Sequence, residues 1–300
     1  MIIKYPLLID GGLSNVLESQ GYDLNHPLWT AHLLDKHPEA IIQAHCKYLQ
    51  AGANCITTAS YQASLPGLLN SGYSNAQAEN LILKAVDLAE EAISRAEIEG
   101  LEQRKPLLAA SIGPYGAFLA DGSEYRGDYG ISDETLKRFH EPSIQLLEQS
   151  SADLLACETI PSFQEASILT GLLASIEKPA WISFSCRDGH SLNDGTPITT
   201  AAKLFKEHPT VFAIGVNCTH PKYISDLILR LKTVVADKKI LIYPNSGEVY
   251  HAQTKTWMGI SDPLAFVEIA KEWLSLGVDI IGGCCRVGPT HIKKISQILE

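Results

Sequence analysis

The chain has 300 residues, 45% of them hydrophobic and 19% charged, and this composition excludes a disordered or fibrous protein. Its formal net charge of −10 argues against nucleic acid and an anionic membrane as partners, and no apolar run approaches the ~20 residues that span a bilayer. Seven cysteines are few and odd in number, which fits a reducing compartment better than a disulfide framework, so we expect a cytoplasmic protein.

Short apolar segments recur along the chain, and each is followed by polar or glycine residues and then by a helical pattern. The apolar residues run continuously instead of alternating, which is typical of parallel strands covered on both faces. The first segment is a strand and not a signal peptide, because only one lysine precedes it and an acid with two glycines closes it. The predicted strands are residues 6–10, 53–58, 106–111, 153–158, 180–186, 211–218, 240–244 and 279–283.

Helix candidates with recognisable ends lie between these strands. Ser132 precedes two acids, as expected of an N-cap residue, and Asp262 followed by Pro263 is another helix start. Gly52 and Gly100 stand where two helices should stop. The predicted helices are residues 39–50, 75–99, 132–148, 162–173, 199–207, 221–235, 264–276 and 289–299.

The alternation of strands and helices predicts an α/β protein, a single (β/α)8 TIM barrel. An open doubly wound sheet is the alternative, since periodicity does not prove closure of the ring. Neither a linker nor a compositional break interrupts the chain, so we expect one domain over residues 1–300. The longest insertion is the glycine-rich segment 113–130 after the third strand, and loops of that length are often functional.

Three cysteines point to a metal at the mouth of this barrel. The carboxyl ends of barrel strands share one face, which carries the active site. Cys218 ends the sixth predicted strand, while Cys284 and Cys285 end the eighth. Adjacent cysteines do not easily bond to each other, and thiolates select Zn²⁺ over Mg²⁺ or Ca²⁺. Singly, each would be a small buried hydrophobe; together they match a catalytic zinc site with three protein ligands and one open position.

Four motifs, in their order and spacing, resemble those of the homocysteine S-methyltransferase family. They are Asp-Gly-Gly at 10–12, Ala-Cys-Glu-Thr-Ile-Pro at 156–161, Gly-Val-Asn-Cys at 215–218 and Gly-Gly-Cys-Cys-Arg at 282–286. The resemblance covers essentially the whole chain, and segments 113–116, 120–128 and 243–248 are most similar to the stand-alone branch that uses S-methylmethionine. It implies a zinc-containing (β/α)8 barrel, in agreement with the strand count.

The implied activity is methyl transfer from a sulfonium donor to the thiol of homocysteine, which gives methionine. Zinc would hold the substrate sulfur as a thiolate, the nucleophilic form of a thiol. The leaving group is a neutral thioether and needs no acid, so no catalytic side chain is expected beyond the zinc-activated substrate thiol. S-methylmethionine and S-adenosylmethionine both stay open as donors, and selenocysteine stays open beside homocysteine as acceptor.

The resemblance assigns the two ends of homocysteine to different residues. Glu158 would bind the amino group, and the backbone N–H groups of Gly11 and Gly12 would meet the carboxylate, since glycine permits close approach. An ordinary strand-end salt bridge and a tight turn are the structural alternatives. The further substrate contacts implied are Asp10, Thr159 and Asn217.

Two more assignments concern the metal and the donor. Asn245 occupies the place of a family asparagine that can coordinate zinc before the substrate arrives, although asparagine before Ser-Gly is also a common turn residue. Segment 113–130 offers tyrosines and acids that could recognise a sulfonium cation, with a solvated loop as the alternative. Its acids are Asp121, Glu124 and Asp128. The residues of this segment that we expect to contact the donor are Tyr115, Asp121, Tyr125 and Asp128.

Other function classes fit the chain less well. A non-catalytic zinc sensor or store would usually close its site with four ligands and short Cys spacings, which the chain lacks. A fragment of a cobalamin- or folate-dependent methionine synthase is disfavoured because little sequence follows the eighth strand and helix. A Rossmann-type methyltransferase is disfavoured because no G-x-G-x-x-G follows a strand. The expected partners are small molecules, and the oligomeric state stays open.

Overall fold

The computed structural model describes residues 3–98, 100, 105–251, 256–259 and 261–299. Eight parallel strands form one sheet in the hydrogen-bonded order β1-β10-β7-β6-β5-β4-β3-β2. The two remaining strands, β8 and β9, pair with each other as an antiparallel hairpin. The strands are β1 Leu7–Leu8, β2 Cys55–Thr57, β3 Leu107–Ile112, β4 Leu154–Ile160, β5 Ala180–Phe184, β6 Val211–Asn217, β7 Lys239–Tyr243, β8 Val249–His251, β9 Thr256–Met258 and β10 Ile280–Ile281.

The two ends of the sheet meet and close the ring. Ile9 and Cys55 form a parallel bridge beside β1 and β2. The N–H of Asp10 donates to the carbonyl of Cys55 at 3.1 Å, and that of Asn54 donates to the carbonyl of Leu8 at 2.7 Å. The prediction of a barrel is therefore confirmed, and the open doubly wound sheet is excluded.

Helices cover the outside of the ring, and two of them begin at the capping residues that the sequence indicates, Ser132 and Asp262. The side chains of Ser132, Ser162 and Asp262 accept hydrogen bonds from the N–H groups at their helix starts. The helices are α1 Leu13–Ser19, α2 Leu33–Lys36, α3 Pro38–Gln50, α4 Leu65–Asn70, α5 Asn75–Ile98, α6 Tyr115–Leu119, α7 Asp133–Glu148, α8 Phe163–Leu173, α9 Ile198–Lys203, α10 Ile224–Lys232, α11 Pro263–Ser275 and α12 Pro289–Leu299.

The observed elements differ from the predicted ones mainly in the loops. The helix predicted over 199–207 ends at Lys203, and residue 99, the predicted end of another, lies outside the described residues. Segment 113–130 contains α6 and a 3-10 turn, Ser123–Tyr125. The β8–β9 hairpin is not predicted by the pattern, because its strands are three residues long and lie outside the barrel. In the described part of the chain, no helix is long and apolar enough to cross a membrane.

The interior of the barrel changes from apolar to polar along its axis. Side chains alternate across a strand, so Glu158 lies on the same face of β4 as Leu154 and Ala156, which belong to the inner apolar cluster. The same alternation places a buried polar residue at or near the carboxyl ends of β3, β5, β6 and β7. These residues are Ser111, Ser183, Asn217 and Tyr243.

Candidate metal centre and active site

The three cysteines predicted to hold a metal lie together at the mouth of the barrel. The Sγ atoms of Cys218, Cys284 and Cys285 all lie within 4.8 Å of one another, and those of Cys218 and Cys285 are 3.6 Å apart. The carboxyl end of β7 accepts hydrogen bonds from the ends of both neighbouring strands, β6 and β10. The N–H of Cys218 donates to Tyr243 O at 3.3 Å, and the N–H of Cys284 donates to Pro244 O at 2.8 Å.

The cluster has the composition and the size of a thiolate metal site. Zn–S bonds of about 2.3 Å at tetrahedral angles place sulfurs about 3.8 Å apart, close to the Cys218–Cys285 separation of 3.6 Å. Hydrogen bonds from Cys284 and Cys285 lower the pKa of Cys218, whereas the bond to Cys218 raises the pKa of Cys284. In the described part of the chain, this is the single group of three or more His, Cys, Asp or Glu side chains placed to hold a metal.

Asn245 lies on the loop that is hydrogen-bonded to the backbone of the cysteine pair. Its N–H donates to the carbonyl of Thr219 at 3.1 Å, and the N–H of Ser246 donates to the carbonyl of Cys285 at 3.1 Å. The side-chain Oδ1 of Asn245 is buried and has no hydrogen-bond partner among the described residues. An unsatisfied buried acceptor costs about 1–3 kcal/mol. This orphaned oxygen fits the role of a metal ligand, so the residues present suit the group that the cluster implies.

Asn217 connects the end of β4 to the cysteine cluster. Its Oδ1 accepts hydrogen bonds from the N–H of Thr159 at 2.7 Å and from Ser183 Oγ at 2.9 Å. Its Nδ2 donates to Thr159 Oγ1 at 2.8 Å and faces Cys284 Sγ at 4.0 Å. Asn217 thus holds Thr159 and one cysteine in a common arrangement.

Backbone strain is concentrated at this mouth. Thr159, Cys218 and Arg286 adopt positive φ angles of 63°, 48° and 66°, which are uncommon for residues other than glycine. The pairing of β4 with β5 also shifts register near Thr159. Such conformations persist only where surrounding contacts hold them, and they cluster at functional sites. The strain therefore marks the same strand ends as the cysteines do.

Two buried acids form the floor of the site. Ser111 Oγ donates to Glu158 Oε1, and burial raises the pKa of Glu158 to about 7, against the lowering effect of its bonds to Ser111 and Tyr243. Asp10 accepts from the N–H of Thr57 at 2.8 Å and from its hydroxyl at 3.1 Å. Burial raises the pKa of Asp10 to about 8, and the charge of Glu158 adds to that effect. A bound cation would favour the charged forms of both acids and so lower their pKa values.

The glycines after β1 lie against the loop that carries the cysteine pair. A Cβ atom on Gly11 would lie 2.2 Å from the carbonyl oxygen of Val287, and one on Gly12 would lie 2.8 Å from that of Cys284. Both positions therefore require glycine for packing alone. The N–H of Gly12 donates to Val287 O at 3.0 Å, so a carboxylate could use this N–H only if that bond were released. The N–H role predicted for Gly11 stays a prediction.

Of the four donor contacts expected from segment 113–130, the structure brings one close to the cysteine cluster. Tyr125 reaches the cluster, with its hydroxyl 3.7 Å from Cys218 Sγ. Tyr115 instead packs against Phe118, Tyr129 and Phe139, because α6 turns it away from the mouth. Asp121 and Asp128 are exposed. Asp121 is engaged by the N–H of Ser123 at 2.9 Å, so it is the cap of a local turn.

Some residues at the site were not singled out by the sequence pattern. Tyr243 and Ser183 lie at strand ends, and their hydroxyls are 2.5 Å apart. The two-residue period of β5 and β7 places both side chains on the inner face, and this period could have identified them from the sequence. Glu124 approaches the cysteines as well, but nothing in the sequence distinguishes it from the other acids of its loop.

Comparison with known proteins agrees with this geometry. The chain matches the family model described as homocysteine S-methyltransferase over residues 7–299. It is 46% identical to homocysteine S-methyltransferase YbgG of Bacillus subtilis, over 97% of this chain and 94% of that protein. It is 43% identical to selenocysteine Se-methyltransferase of Brassica oleracea, over 97% of this chain and 88% of that protein.

A solved structure shows the same fold. The metallated form of the homocysteine methyltransferase MmuM from Escherichia coli superposes with a TM-score of 0.87 at 38% identity, over 97% of this chain and 96% of that one. Sequence and fold thus agree over nearly the full length. The chain belongs to the homocysteine S-methyltransferase family.

Proposed function

We propose that this protein is a zinc-dependent methyltransferase that moves a methyl group from a sulfonium donor, preferentially S-methylmethionine, to the thiol of homocysteine. The observation that carries the proposal is the position of the cysteine cluster. Its three sulfurs lie within 4.8 Å of one another and open onto a mouth whose floor holds Glu158, a buried acid suited to an ammonium group. A thiolate site and an ammonium site side by side match the two ends of an amino-acid thiol.

Cys218, Cys284 and Cys285 would hold the zinc, with Asn245 as the fourth ligand until the acceptor arrives. Thiolate ligands favour zinc over the harder divalent cations. Bound zinc would lower the pKa of the acceptor thiol, so that its sulfur is a nucleophilic thiolate at neutral pH. The orphaned Oδ1 of Asn245 supports this exchange, because an amide oxygen is a ligand that a thiolate can displace.

The side chains of the mouth would orient the acceptor. Glu158 is held in place by the hydroxyl of Ser111 and would pair with the ammonium group. Asn217 bonds to Thr159 and faces Cys284, and these contacts would hold the wall between the acid and the metal in place. Holding the nucleophile in line with the methyl group would supply much of the rate.

The reaction needs no acid from the protein. The bond from the acceptor sulfur to the methyl carbon forms as the bond from the donor sulfur breaks, and the electron pair of that bond stays on the donor sulfur. The acceptor would enter the transfer as a thiolate whose proton has been released to solvent, and the sulfonium becomes a neutral thioether. The hydroxyl and amide groups of Ser111, Thr159, Ser183 and Asn217 are consistent with a site that positions reactants without exchanging protons.

The proposal is tested by an assay of the zinc-loaded protein with each acceptor and each donor. Homocysteine and selenocysteine would be offered in turn with S-methylmethionine and S-adenosylmethionine, and the methylated products quantified by mass spectrometry. We expect methionine, with the higher kcat/KM for S-methylmethionine. Absence of methionine with both donors would refute the proposal. Full activity after removal of the metal would refute the role of zinc.

A further inference from the structure

One carboxylate oxygen of segment 113–130, the Oε2 of Glu124, is buried near the cysteine cluster without a hydrogen-bond partner among the described residues. Glu124 lies in the 3-10 turn Ser123–Tyr125. A buried carboxylate oxygen without a partner is unfavourable unless a cation or a donor meets it. Such an atom at the mouth of a site therefore indicates that a cation or a hydrogen-bond donor binds there.

The backbone of Glu124 is fixed from two sides. Its carbonyl accepts hydrogen bonds from Asn193 Nδ2 at 3.1 Å and from Ser185 Oγ at 3.5 Å. On the other side α6 approaches so closely that a Cβ atom on Gly116 would lie 2.3 Å from the backbone nitrogen of Glu124. The turn is thus clamped between α6 and the loop after β5, and this clamp directs the carboxylate to the inside.

The surroundings of this carboxylate are negative and aromatic. Burial raises the pKa of Glu124 to about 7, and the negative charge at Cys218 contributes to the increase. The hydroxyl of the next residue, Tyr125, lies 3.7 Å from the Sγ of Cys218. The nearby Arg126 is exposed and is engaged by Ser123 Oγ at 2.7 Å and by Asp121 at 3.4 Å. Its charge lowers the pKa of Glu124, but this effect is smaller than that of burial, and no hydrogen bond joins Arg126 to the Oε2 of Glu124.

We infer that Glu124 recognises the positive charge of the sulfonium donor and holds it over the cysteine cluster. This inference rests on the proposed methyl transfer and names the residue that selects the donor. A carboxylate attracts a cation without a hydrogen bond, and the attraction is strong where water is excluded. The ring of Tyr125 offers a second surface suited to a cation.

The charge of the donor disappears during the reaction, which sets the kinetic signature of Glu124. Attraction between the carboxylate and the sulfonium is greatest in the bound substrate and is lost as the neutral thioether forms. An interaction that weakens towards the transition state lowers KM without raising kcat. Glu124 would thus attract the charged donor and bind the neutral thioether that remains after methyl transfer more weakly.

The experiment compares Glu124→Gln with the unaltered protein and with Glu134→Gln. The first change removes the charge at constant shape, and the second removes the charge of an exposed acid on α7. For Glu124→Gln we expect KM for S-methylmethionine to rise about tenfold or more, with no fall in kcat and little change in KM for homocysteine. Glu134→Gln should match the unaltered protein. An unchanged KM for S-methylmethionine in Glu124→Gln would overturn the inference.

Direct binding separates the sulfonium from the ammonium group of the same donor. Calorimetry would measure the affinity of each zinc-loaded variant for dimethylsulfonioacetate, which has no ammonium, and for methionine, which has no sulfonium. We expect Glu124→Gln to lose affinity for the first only. Loss for methionine alone would assign Glu124 to the ammonium group and overturn the inference. These binding results do not depend on turnover, so a failure of methyl transfer in the unaltered protein would refute the proposed function separately.

Zinc content and the melting temperature show whether the variant is folded. Should Glu124→Gln fail to fold, Glu124→Asp keeps the charge but withdraws it by one methylene. We then expect an intermediate loss of donor affinity, again with unchanged homocysteine binding. Donor affinity equal to that of the unaltered protein would count against the inference.

Discussion

The Sγ atoms of Cys218 and Cys285 lie 3.6 Å apart although the two residues are 67 positions apart and end strands that are not hydrogen-bonded to each other. A disulfide would require about 2.05 Å, so the two sulfurs are in contact without a bond. Strand β7 lies between β6 and β10, and its carboxyl end accepts hydrogen bonds from both cysteine-bearing loops. The dimensions of the cluster are thus set by the end of β7.

Replacement of Cys284 by serine should abolish both zinc binding and methyl transfer. A serine hydroxyl stays protonated where a thiol would become a thiolate, so we expect metal affinity to fall by more than about 100-fold, beyond the loss typical of outer-shell changes. Zinc per protein would be measured by atomic emission after dialysis against a weak chelator. Cys46→Ser, a half-buried cysteine of α3 outside the cluster, is the control. A fully active Cys284→Ser protein would show that the pair is only structural.

Asn245→Ala should weaken zinc binding only while no acceptor is bound. The variant loses the Oδ1 atom that has no hydrogen-bond partner among the described residues, and we expect chelators to extract zinc about 10- to 100-fold faster. Homocysteine should remove this difference, because its thiolate would take the same position. The measurement is the rate of zinc transfer to a chromogenic chelator with and without homocysteine. Equal rates in both proteins without homocysteine would exclude Asn245 as a ligand.

Glu158→Gln should impair the binding of homocysteine through its amino group. A charge-assisted hydrogen bond contributes about 1.5–3 kcal/mol, so we expect KM for homocysteine to rise by roughly 10- to 100-fold. The matched control is 4-sulfanylbutanoate, which lacks the ammonium group but keeps the thiol and the carboxylate. Both proteins should methylate it with similar kcat/KM. If Glu158→Gln lowered kcat/KM by the same factor for both acceptors, Glu158 would have a structural role and would not bind the amino group.

His45→Leu should stabilise the fold, most strongly in mild acid. His45 is fully buried in α3, neither ring nitrogen has a partner among the described residues, and burial lowers its pKa from 6.5 to about 4. As pH falls through this interval the unfolded chain takes up a proton that the folded chain refuses, so stability falls by up to about 1.4 kcal/mol per pH unit.

The leucine variant lacks this proton and should also escape the cost of burying unsatisfied ring nitrogens, about 1–3 kcal/mol. Urea unfolding at pH 7.5 and pH 5 provides the comparison. The advantage of the variant should be larger at pH 5. An advantage that is equal at the two pH values would mean that His45 does not titrate between them.

The barrel could be read from the sequence because its signals are local. Parallel strands buried on both faces appear as continuous apolar runs, as in Ala180–Phe184, and Ser132 and Asp262 mark helix starts by capping chemistry. The meeting of Cys218 with the cysteine pair followed from strand order alone. Strand-end residues are placed by the topology of the barrel, so their convergence needs no knowledge of side-chain packing.

The direction of loop side chains could not be read in the same way. Tyr115 and Glu124 both lie in segment 113–130, yet Tyr115 turns to α7 while Glu124 turns to the cysteines. The difference arises from contacts with distant residues. Glu165 of α8 accepts the N–H of Tyr115 at 2.6 Å, and Asn193 binds the carbonyl of Glu124 at 3.1 Å. No spacing within the loop encodes these partners.

The contact between Gly12 and the carbonyl of Cys284 limits how such an enzyme can diverge. A methyl group on Gly12 would lie 2.8 Å from that oxygen and would displace a cysteine of the cluster. The loop that carries Gly12 cannot gain a side chain at this position without disturbing the cysteine cluster. A side chain at position 12 would change metal binding together with substrate binding, so we expect glycine to be kept there whatever acceptor the enzyme uses.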